Sequence, residues 1–339
     1  MERLLITGAT GLVGSHVAQC AAAEGIPTRA LVRVGADTRL LAEWGVELVR
    51  GDLSEPDTLA TAVAGVSHIV HAAAKVGDWG PVDGYRAVNV RSLAHLIDAA
   101  QGSGTLQRFV QISSLGVYEP RDHFGTDETT PPSATGLDGY TLSKIEAEAM
   151  VLEQFRTHAF PVVVLRPGFI YGPRDRTVLP RLLERLRKKQ VRYFGSGDQL
   201  LNQTSVRNLA SAIFLALRSD QGVGEVFNIT DGHLVSKRTF IGTAARLAGY
   251  PEPTGRVPRG VARLLAKASE GLYRLLGKTE APLVSMARYK FLGLNLDFSI
   301  DKARRVLGYE PEIGFEAAMA ETIDWFRSQG LLENSGKSP

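Results

Sequence analysis

The 339-residue chain lacks most of the features that mark secreted, membrane-spanning or nucleic-acid-binding proteins. Its single cysteine, Cys20, cannot form a disulfide within the chain, which fits a reducing compartment. The 39 Lys and Arg residues nearly balance the 36 Asp and Glu residues, so we expect no nucleic-acid partner. No apolar stretch is long enough to span a bilayer, and an apolar run already begins at Arg3, so no cleavable signal is expected before it. These absences predict a globular, cytoplasmic protein.

Glycine is comparatively frequent, at 35 residues, and three glycines follow the first predicted strand. Residues Arg3 to Thr7 form a short apolar run, and small and apolar residues resume at helical spacing from Leu12 to Cys20. A strand, a glycine turn and a helix in this order form the first unit of a dinucleotide-binding sheet. The residues expected to hold the cofactor in this turn are Gly8, Thr10, Gly11, Leu12, Val13 and Gly14.

Each glycine of this G-x-x-G-x-x-G turn has its own expected role. Gly8 permits a tight turn, Gly11 lets backbone N–H groups approach a pyrophosphate, and Gly14 lets the helix lie close on the strand. The motif is one residue longer than the usual G-x-G-x-x-G. A glycine triplet by itself is also compatible with a strand-to-helix turn that binds nothing.

The end of the second predicted strand, Thr28–Val32, bears on the kind of cofactor. NAD sites usually place Asp or Glu here for the ribose hydroxyls, whereas this chain has Arg33. A guanidinium can hold a 2′-phosphate by charge-assisted hydrogen bonds, so NADP(H) is favoured. Asp37 lies slightly further on and keeps NAD(H) open, and a solvated surface arginine is the alternative interpretation of Arg33.

The third predicted strand, Val46–Val49, is followed by two residues assigned to the cofactor site, Asp52 and Leu53. An Asp directly after a strand can accept a hydrogen bond from an adenine amino group. It can also cap a following helix, here one that begins near Asp57. Both roles are compatible with the sequence.

The fourth predicted strand, residues 68–74, ends in small side chains. Ala72 and Ala73 would let a dinucleotide pass closely over the sheet, and both are assigned to the cofactor site. His71 has no partner at the spacing of a metal site or a catalytic triad, so it is interpreted as a packed strand histidine and no metal site is expected.

Three residues of the types needed for proton transfer to a carbonyl follow in order. Ser114 stands after the predicted strand Leu106–Ile112, and Tyr140 and Lys144 are spaced to share one helical face. A carbonyl that accepts hydride at carbon needs a proton at oxygen, which a phenol can supply. The Lys144 ammonium and an oxidised nicotinamide are expected to lower the Tyr140 pKa from its usual value of ~10, and Ser114 to hold the substrate oxygen.

Two loops beyond strand ends are candidates for the substrate and nicotinamide sites. Trp79, in the loop 75–85, is interpreted as a wall of the substrate site. The Pro- and Gly-rich segment 166–173 is expected to form an irregular turn that frames the nicotinamide, or else an ordinary strand-ending loop. Its candidate residues are Pro167 and Ile170 for the cofactor and Phe169 for the substrate.

The regular alternation of strands and helices breaks down after about residue 175. We expect a dinucleotide-binding domain at 1–175 with returning segments from about 200–230, a substrate-binding domain mainly at 176–332, and a frayed tail at 333–339.

A predicted amphipathic helix at 259–276 has three interpretations. Packing against the substrate-binding domain is favoured, a lid over an apolar substrate comes second, and weak contact with a membrane surface comes third. Its basic residues lie largely on another face from the apolar ones. The apolar residues at helical spacing are Val261, Leu264, Leu265, Ala268, Leu272, Leu275 and Leu276.

The ordered motifs resemble the extended short-chain dehydrogenases/reductases of the NAD-dependent epimerase/dehydratase superfamily. The resemblance rests on the glycine turn, Ser113-Ser114, Tyr140-x-x-x-Lys144 and Arg166-Pro167, and it continues to Pro311. It implies a Rossmann-type doubly wound parallel α/β sheet with a smaller, mostly helical C-terminal substrate domain. It also implies a homodimer through the helices around 85–100 and 139–155.

Within this superfamily, the loop 74–80 and the amphipathic helix are most similar to the 3β-hydroxysteroid dehydrogenase branch. The resemblance implies that Ser114, Tyr140 and Lys144 are catalytic. The family's helix asparagine, which supports the proton relay, would be Asn89; the residue pattern alone suggests a kink with a bound water or an exposed side chain there. The expected reaction moves hydride between NADP(H) and a secondary alcohol or ketone of a bulky apolar, sterol-like or 3-oxoalkanoate-like, substrate.

Several alternatives remain open at this point. A nucleotide-sugar epimerase and a dihydroflavonol-type reductase share the expected fold, and a catalytically silent nucleotide-sensing protein is a rival from another class. A dehydratase of the family would carry Asp-Glu after the catalytic residue, whereas Leu115-Gly116 follow Ser114 here.

Overall fold

The computed structural model describes residues 1–77, 79–133, 135, 138–278, 280–282 and 284–332. The predicted tail at 333–339 lies outside these residues. The strands in the described part are β1 (Leu4–Thr7), β2 (Thr28–Val32), β3 (Glu47–Arg50), β4 (His68–His71), β5 (Arg108–Ile112), β6 (His123–Thr126), β7 (Val162–Pro167), β8 (Phe169–Tyr171), β9 (Tyr193–Phe194), β10 (Leu200–Leu201), β11 (Gln203–Ser205), β12 (Val226–Ile229), β13 (Val235–Ser236), β14 (Arg256–Val257) and β15 (Leu296–Phe298).

The helices of the same residues are α1 (Leu12–Ala23), α2 (Arg39–Glu43), α3 (Pro56–Val63), α4 (Val82–Arg86), α5 (Ser92–Gly102), α6 (Gly139–His158), α7 (Leu179–Arg187), α8 (Val206–Arg218), α9 (Lys237–Ala248), α10 (Arg259–Leu275), α11 (Met286–Gly293), α12 (Asp301–Leu307) and α13 (Phe315–Ser328). A π-helical turn at Ala87–Arg91 joins α4 to α5, and a 3₁₀ turn covers Leu115–Val117. None of these helices is both long and apolar enough to cross a bilayer.

Seven parallel strands form the main sheet in the order β12-β7-β5-β4-β1-β2-β3. From β1 the chain runs outward through β2 and β3, and then returns to the other side of β1 with β4. This confirms the predicted doubly wound Rossmann-type sheet. The carboxyl ends of β1 and β4 therefore lie at the point where the strand order reverses, which is where such sheets bind ligands.

The central strands are apolar and buried because helices cover both faces of the sheet. Residues of α1, α8 and α12 close one face, and residues of α3, α5 and α6 close the other. A third apolar cluster lies among the elements that follow β7, and it includes buried residues of α7, α9, α10 and α13. Residues 300–309, which the sequence assigned to the substrate-binding part, pack into the α1 face of the main sheet.

The fourth strand is shorter than predicted, because β4 ends at His71 and residues 72–74 leave the sheet. The Gly8 turn occupies the space above them: a Cβ at Gly8 would lie 2.7 Å from the Ala73 nitrogen. His71 is buried, and its Nδ1 lies 2.8 Å from the Thr7 hydroxyl, so the interpretation as a packed histidine is confirmed. Burial lowers its pKa to about 3.

The segment after the sixth predicted strand is not an irregular turn. Residues 162–167 belong to β7 and residues 169–171 to β8, which pairs in parallel with β11. Only Gly168 separates the two strands. A Cβ there would lie 1.8 Å from the Asn202 carbonyl oxygen, so the missing side chain lets the chain pass directly from one sheet to the next.

The amphipathic helix α10 packs through a different face from the one predicted. Ala262 and Ala266 are buried, whereas the large apolar side chains of its predicted core stripe are exposed to solvent. The helix does pack against the elements that follow β7, as the favoured interpretation has it, but it does so through these two alanines and not through the apolar stripe.

A buried ion pair joins α6 to the end of β7. Glu148 and Arg166 have side chains that are 3% and 4% exposed, and the Arg166 Nε lies 3.0 Å from Glu148 Oε2. The same carboxylate accepts a hydrogen bond from the Ser113 hydroxyl at 2.7 Å, and Arg166 also donates to the Tyr118 hydroxyl at 2.7 Å. Removal of one partner would leave the other charge buried without compensation.

Replacement of Glu148 by alanine should therefore lower the free energy of unfolding by about 3–5 kcal/mol. The matched control is Glu153→Ala on the same helix, whose partner Arg156 is exposed, so that this loss should stay below about 1 kcal/mol. Chemical denaturation followed by circular dichroism measures both changes. Equal losses for the two variants would contradict the structural importance of the buried pair.

Candidate active site

The glycine turn between β1 and α1 closes on itself through backbone contacts. The Gly11 N–H donates to the Gly8 carbonyl at 2.9 Å, and Gly8 has a φ of +71°, which favours glycine. A Cβ at Gly14 would lie 2.3 Å from the Gly8 oxygen. The geometry thus agrees with the predicted roles of these glycines: Gly8 permits a tight turn, and Gly14 lets the helix lie close on the strand.

The helix that follows offers a positively polarised N-terminus. Gly11 is the N-cap of α1, no side chain caps the helix, and its first turn contains no acidic residue. The first amides of a helix have no intrahelical acceptor, so those of Leu12 and Val13 are available to an anion. The Gly11 amide itself is used inside the turn. Thr10 and Val13 are half-buried beside these amides.

At the end of β2 the two charged candidates differ in what they contact. Arg33 is exposed, and its carbonyl accepts a hydrogen bond from Arg50 at 3.2 Å. Asp37 receives two hydrogen bonds from Arg39, at 3.0 and 2.7 Å, and these hold the pKa of its carboxyl well below the usual range. The Asp37 carboxylate is therefore already ion-paired with Arg39, whereas the Arg33 side chain is exposed to solvent.

Asp52 does not cap the helix that follows it. Its carboxylate accepts from the Ser54 amide at 2.9 Å and the Ser54 hydroxyl at 2.7 Å, which lowers its pKa. Glu55 is the N-cap of α3 and uses no side-chain hydrogen bond. The capping interpretation of Asp52 is wrong because the nearer Ser54 takes the carboxylate, while Leu53 packs against the core beneath.

Ser114, Tyr140 and Lys144 come together beyond the carboxyl ends of β4 and β5. Ser114 caps the 3₁₀ turn, and its hydroxyl accepts from the Gly116 amide at 3.0 Å. The same hydroxyl lies close enough to Tyr140 to lower the pKa of its phenol. Lys144 lies one turn along α6, with its Nζ 5.9 Å from the centre of the Tyr140 ring. The Lys144 ammonium donates to the Ile112 carbonyl at 2.8 Å.

The neighbouring Ser113 has a different environment from Ser114. Its side chain is buried and donates to Glu148, so its hydroxyl is committed to the hydrogen-bond network under α6. Ser114 is less buried and faces Tyr140. The geometry therefore favours Ser114 as the serine that meets a substrate.

The predicted lowering of the Tyr140 pKa is not found in the protein alone. Burial, with a further contribution from the Asp138 carboxylate, raises the pKa of Tyr140 to about 12, against the opposing hydrogen bond from Ser114. Burial also lowers the pKa of Lys144 to about 8, with Glu148 opposing. The ammonium points to the Ile112 carbonyl rather than to the phenol oxygen, so desolvation dominates and the phenol keeps its proton.

Asn89 lies at the centre of the π-helical turn and is buried. Its side chain accepts from the Lys75 amide at 2.7 Å and donates to the Lys75 carbonyl at 3.0 Å and to the Ser143 hydroxyl at 2.8 Å. The predicted kink is confirmed and the exposed alternative is wrong. Asn89 thus fixes the start of the loop 75–85 against the residue that precedes Lys144.

The two candidate substrate residues, Phe169 and Trp79, each pack against other aromatic side chains. Phe169 is half-buried at the start of β8 and contacts the rings of Phe240 and Phe291, with centroids 5.6 and 4.8 Å away. Trp79 donates from Nε1 to the Lys278 carbonyl at 3.0 Å and packs edge-on against Tyr273. Pro167 is the last residue of β7, and Ile170 is the middle residue of β8.

One cation beside the site has no signal in the sequence. Lys290 of α11 donates to the carbonyls of Gly116 and Tyr118, at 2.5 and 3.4 Å, and burial lowers its pKa to about 8. It therefore supports the turn that carries Ser114, from a point far along the chain. Glu148 was also missed, although its i+4 spacing from Lys144 places both on one face of α6. No group of three or more His, Cys, Asp or Glu side chains arranged for a metal is found in the described residues.

A glycine turn at the switch point of a parallel sheet, with Ser, Tyr and Lys side chains beside it, defines a short-chain dehydrogenase/reductase. A profile of the NAD dependent epimerase/dehydratase family matches residues 4–230, and the chain belongs to this family. The predicted resemblance to extended members of the superfamily is confirmed. The protein is accordingly an NAD(P)-dependent oxidoreductase in class.

Relatives of known activity extend over nearly the whole chain. The 4-hydroxy-2-methyl-3-oxo-4-farnesyl-3,4-dihydroquinoline-1-oxide ketoreductase of Stigmatella aurantiaca is 32% identical over 309 residues, 91% of each chain. The 2-alkyl-3-oxoalkanoate reductase of Shewanella oneidensis is 31% identical, covering 94% of this chain and 85% of that protein. The 3-beta-hydroxysteroid dehydrogenase of Mycolicibacterium neoaurum is 33% identical, covering 96% and 92%.

Solved structures agree with this assignment. The crystal structure of gox2253 matches with a TM-score of 0.82 and 31% identity over 98% of this chain and 100% of that chain. The UDP-glucose 4-epimerase of Thermotoga maritima matches with a TM-score of 0.77 over 96% of this chain and 99% of that chain. Its identity is 20%, so this second likeness shows the fold alone.

Substitution of Gly11 by alanine separates cofactor binding from folding. The backbone of Gly11 is extended, and a Cβ there meets only the Gly8 oxygen, at 3.2 Å, so the fold should tolerate it. The methyl group would instead project over the exposed amides of the α1 N-terminus and weaken NADPH binding by about tenfold or more. Fluorescence titration measures this, with Gly102→Ala, which has open space, as control. Unchanged affinity in Gly11→Ala would place the pyrophosphate elsewhere.

Proposed function

We propose that the protein reduces a ketone on a bulky apolar substrate, or oxidises the corresponding secondary alcohol, with NADP(H) as the hydride carrier. The observation that supports this most directly is the placement of the Ser114 hydroxyl beside a Tyr140 phenol that burial keeps protonated. A protonated phenol beside a second hydroxyl suits a carbonyl oxygen that must receive a proton while hydride arrives at its carbon.

The residues around the glycine turn fit a dinucleotide. The turn is closed so tightly that a Cβ at Gly8 or Gly14 would collide with backbone, which leaves the N-terminus of α1 open toward the sheet edge. Arg33 and Asp52 would face the adenosine half, and Lys144 the nicotinamide ribose. When bound there, the nicotinamide supplies the hydride, and all proton chemistry is left to side chains of the protein.

Each of the three catalytic candidates has one task in this proposal. Tyr140 donates its phenolic proton to the substrate oxygen, and the Ser114 hydroxyl holds that oxygen in place. Lys144 is fixed by the Ile112 carbonyl and places a positive charge under the Tyr140 ring. Asn89 acts as a positioning residue, because its hydrogen bonds hold α6 to the loop 75–85.

The substrate class follows from the relatives and from the aromatic surroundings of Phe169. A farnesylated quinoline oxide, a 2-alkyl-3-oxoalkanoate and a steroid are the substrates named for three relatives that are 31–33% identical to this chain. These compounds share a carbonyl or secondary alcohol on a large apolar body. Phe169 and Phe291 are partly buried and pack over the buried Phe240, and they provide an apolar surface close to the end of β7, where such a body can lie.

Replacement of Tyr140 by phenylalanine tests the chemical assignment. The wild-type protein should oxidise NADPH in the presence of one or more members of a panel of apolar 3-oxo compounds. Tyr140→Phe should lose about a hundredfold or more in kcat because the proton donor is missing, while it still binds NADPH. Absorbance of the reduced nicotinamide measures the first quantity and fluorescence titration the second.

Two results would redirect the assignment. Full activity in Tyr140→Phe would remove Tyr140 from the reaction. No net consumption of NADPH, together with interconversion of nucleotide sugars, would instead establish an epimerase of the same fold. Lys188→Ala is a suitable control, because Lys188 lies on the surface at the end of α7 and pairs with Glu184.

The preference for NADP(H) depends on Arg33 in this proposal. Arg33→Ala should raise the KM for NADPH by about tenfold to a hundredfold and leave the KM for NADH nearly unchanged, because only the 2′-phosphate loses its charge-assisted hydrogen bonds. Steady-state kinetics with both cofactors measure the ratio. Arg305→Ala, which removes an exposed cation of α12, is the matched control. An equal change for NADPH and NADH would show that Arg33 does not recognise the phosphate.

A further inference from the structure

Helix α10 exposes a row of large apolar side chains to solvent. Their exposed fractions range from 47% to 83%. Single apolar residues scattered over a surface are common and do not indicate an interaction site. Here they are neighbours on one helix, so they form a continuous patch of the kind that marks an interaction site. This leucine row consists of Val261, Leu264, Leu265, Leu272, Leu275 and Leu276.

The leucine row and the buried face of α10 are different faces of the same helix. At 3.6 residues per turn, the row covers an arc of about 120°, and Ala262 and Ala266 lie to one side of it. On the other side lie Arg263, Lys267 and Arg274, which we call the basic band. The helix is attached to the protein by its alanines, while the leucine row and the basic band both face solvent.

The exposed part of this helix carries no negative charge. Glu270 is the one acidic residue between positions 259 and 278, and its side chain is only 15% exposed. It turns inward and accepts a hydrogen bond from the Met286 amide at 2.7 Å. Arg263 and Lys267 form no ion pair with any described residue. Arg274 is paired with Glu270, whose Oε2 lies 3.5 Å from the Arg274 Nη2. The surface therefore combines apolar side chains with two cations, Arg263 and Lys267, that no described carboxylate pairs.

We propose that α10 docks on an anionic lipid surface, with the leucine row in the acyl boundary and the basic band among the headgroups. An interfacial helix combines these same two features: an apolar face, and a polar face rich in Lys and Arg. A second copy of the chain fits the surface less well. A two-fold contact brings each patch against its own copy, so that the unpaired Arg263 and Lys267 of both copies would crowd together at its margin.

Contacts from α10 lead directly to the catalytic helix. The C-terminal part of α10 holds Trp79 through Tyr273 and the Lys278 carbonyl that follows the helix. The Trp79 carbonyl accepts from the Tyr85 hydroxyl at 2.7 Å, and the Tyr85 ring packs against Gly139, next to Tyr140. A docked α10 would thus bring the Trp79 side of the site toward the lipid. Delivery of an apolar substrate by this route rests on the proposed function, whereas docking itself does not.

Co-sedimentation with vesicles tests the docking. The wild-type protein should bind vesicles of equal parts phosphatidylglycerol and phosphatidylcholine, and this binding should weaken with added salt. It should bind vesicles of pure phosphatidylcholine poorly. The triple variant Leu264→Ser, Leu265→Ser, Leu272→Ser should lose about tenfold or more in partitioning. Each of Arg263→Gln and Lys267→Gln should lose about fivefold on the mixed vesicles.

A matched control removes exposed leucines elsewhere on the protein. Leu234 and Leu331 are 70% and 60% exposed and lie outside α10, so Leu234→Ser with Leu331→Ser should bind vesicles like the wild type. The triple variant should keep wild-type NADPH oxidation with a short, water-soluble 3-oxo substrate, because it alters no residue of the site. This assay separates loss of docking from failure of the proposed reaction.

Three results would overturn the proposal. One is the absence of wild-type binding to the mixed vesicles, and another is equal binding to pure phosphatidylcholine. The third is a wild-type dimer in light scattering that becomes a monomer in the triple variant without vesicle binding by either protein, which would assign the leucine row to contact between copies. Vesicle binding with no reductase activity toward any apolar ketone would support docking and count against the proposed function alone.

Discussion

The buried ion pair between Glu148 and Arg166 determines where the reactive groups stand. It fixes α6 to the end of β7, and through Ser113 and Tyr118 it also holds both ends of the turn that carries Ser114. Removing two charges from water is costly, so such a pair gives little stability over an apolar replacement. Its directional hydrogen bonds give instead a single orientation of α6, which carries Tyr140 and Lys144, relative to the sheet.

Burial shifts the pKa values of Tyr140 and Lys144 so that the uncharged form of each side chain is favoured. It raises the pKa of Tyr140 to about 12 and lowers the pKa of Lys144 to about 8. The neutral phenol is the form that a reductase requires, since it has a proton to give. In the oxidative direction the same phenol would have to lose its proton first, so a positive charge close by matters more for that direction than for reduction.

Local patterns in the sequence were sufficient for the sheet and for most of the site. The glycine turn, Ser114 and the spacing of Tyr140 and Lys144 are each defined by residues close together in the chain, and the predicted parallel sheet followed from apolar runs. Two features of the structure that the sequence did not reveal depend on residues far away in the chain. Nothing near Gly168 indicates that the Asn202 carbonyl fills the space of its missing side chain, and nothing near Ser114 indicates Lys290.

The amphipathic pattern of α10 shows a related limit. Periodicity detects that one face differs from another, but it does not tell which face meets the protein. The same pattern was compatible with a packed helix, a lid and a surface helix, and only the burial of Ala262 and Ala266 separated them. The capping interpretation of Asp52 failed for a local reason, because Ser54, two residues further on, takes the carboxylate that would otherwise have capped α3.

The position of β12 at the edge of the main sheet has a consequence for biosynthesis. β12 pairs with β7, yet more than fifty residues, some of which belong to the third apolar cluster, separate the two strands in the chain. A ribosome delivers the N-terminal part first, so β7 is an open sheet edge until residues 226–229 emerge. The main sheet therefore cannot be completed before the elements between β7 and β12 have been made, and the two parts mature together.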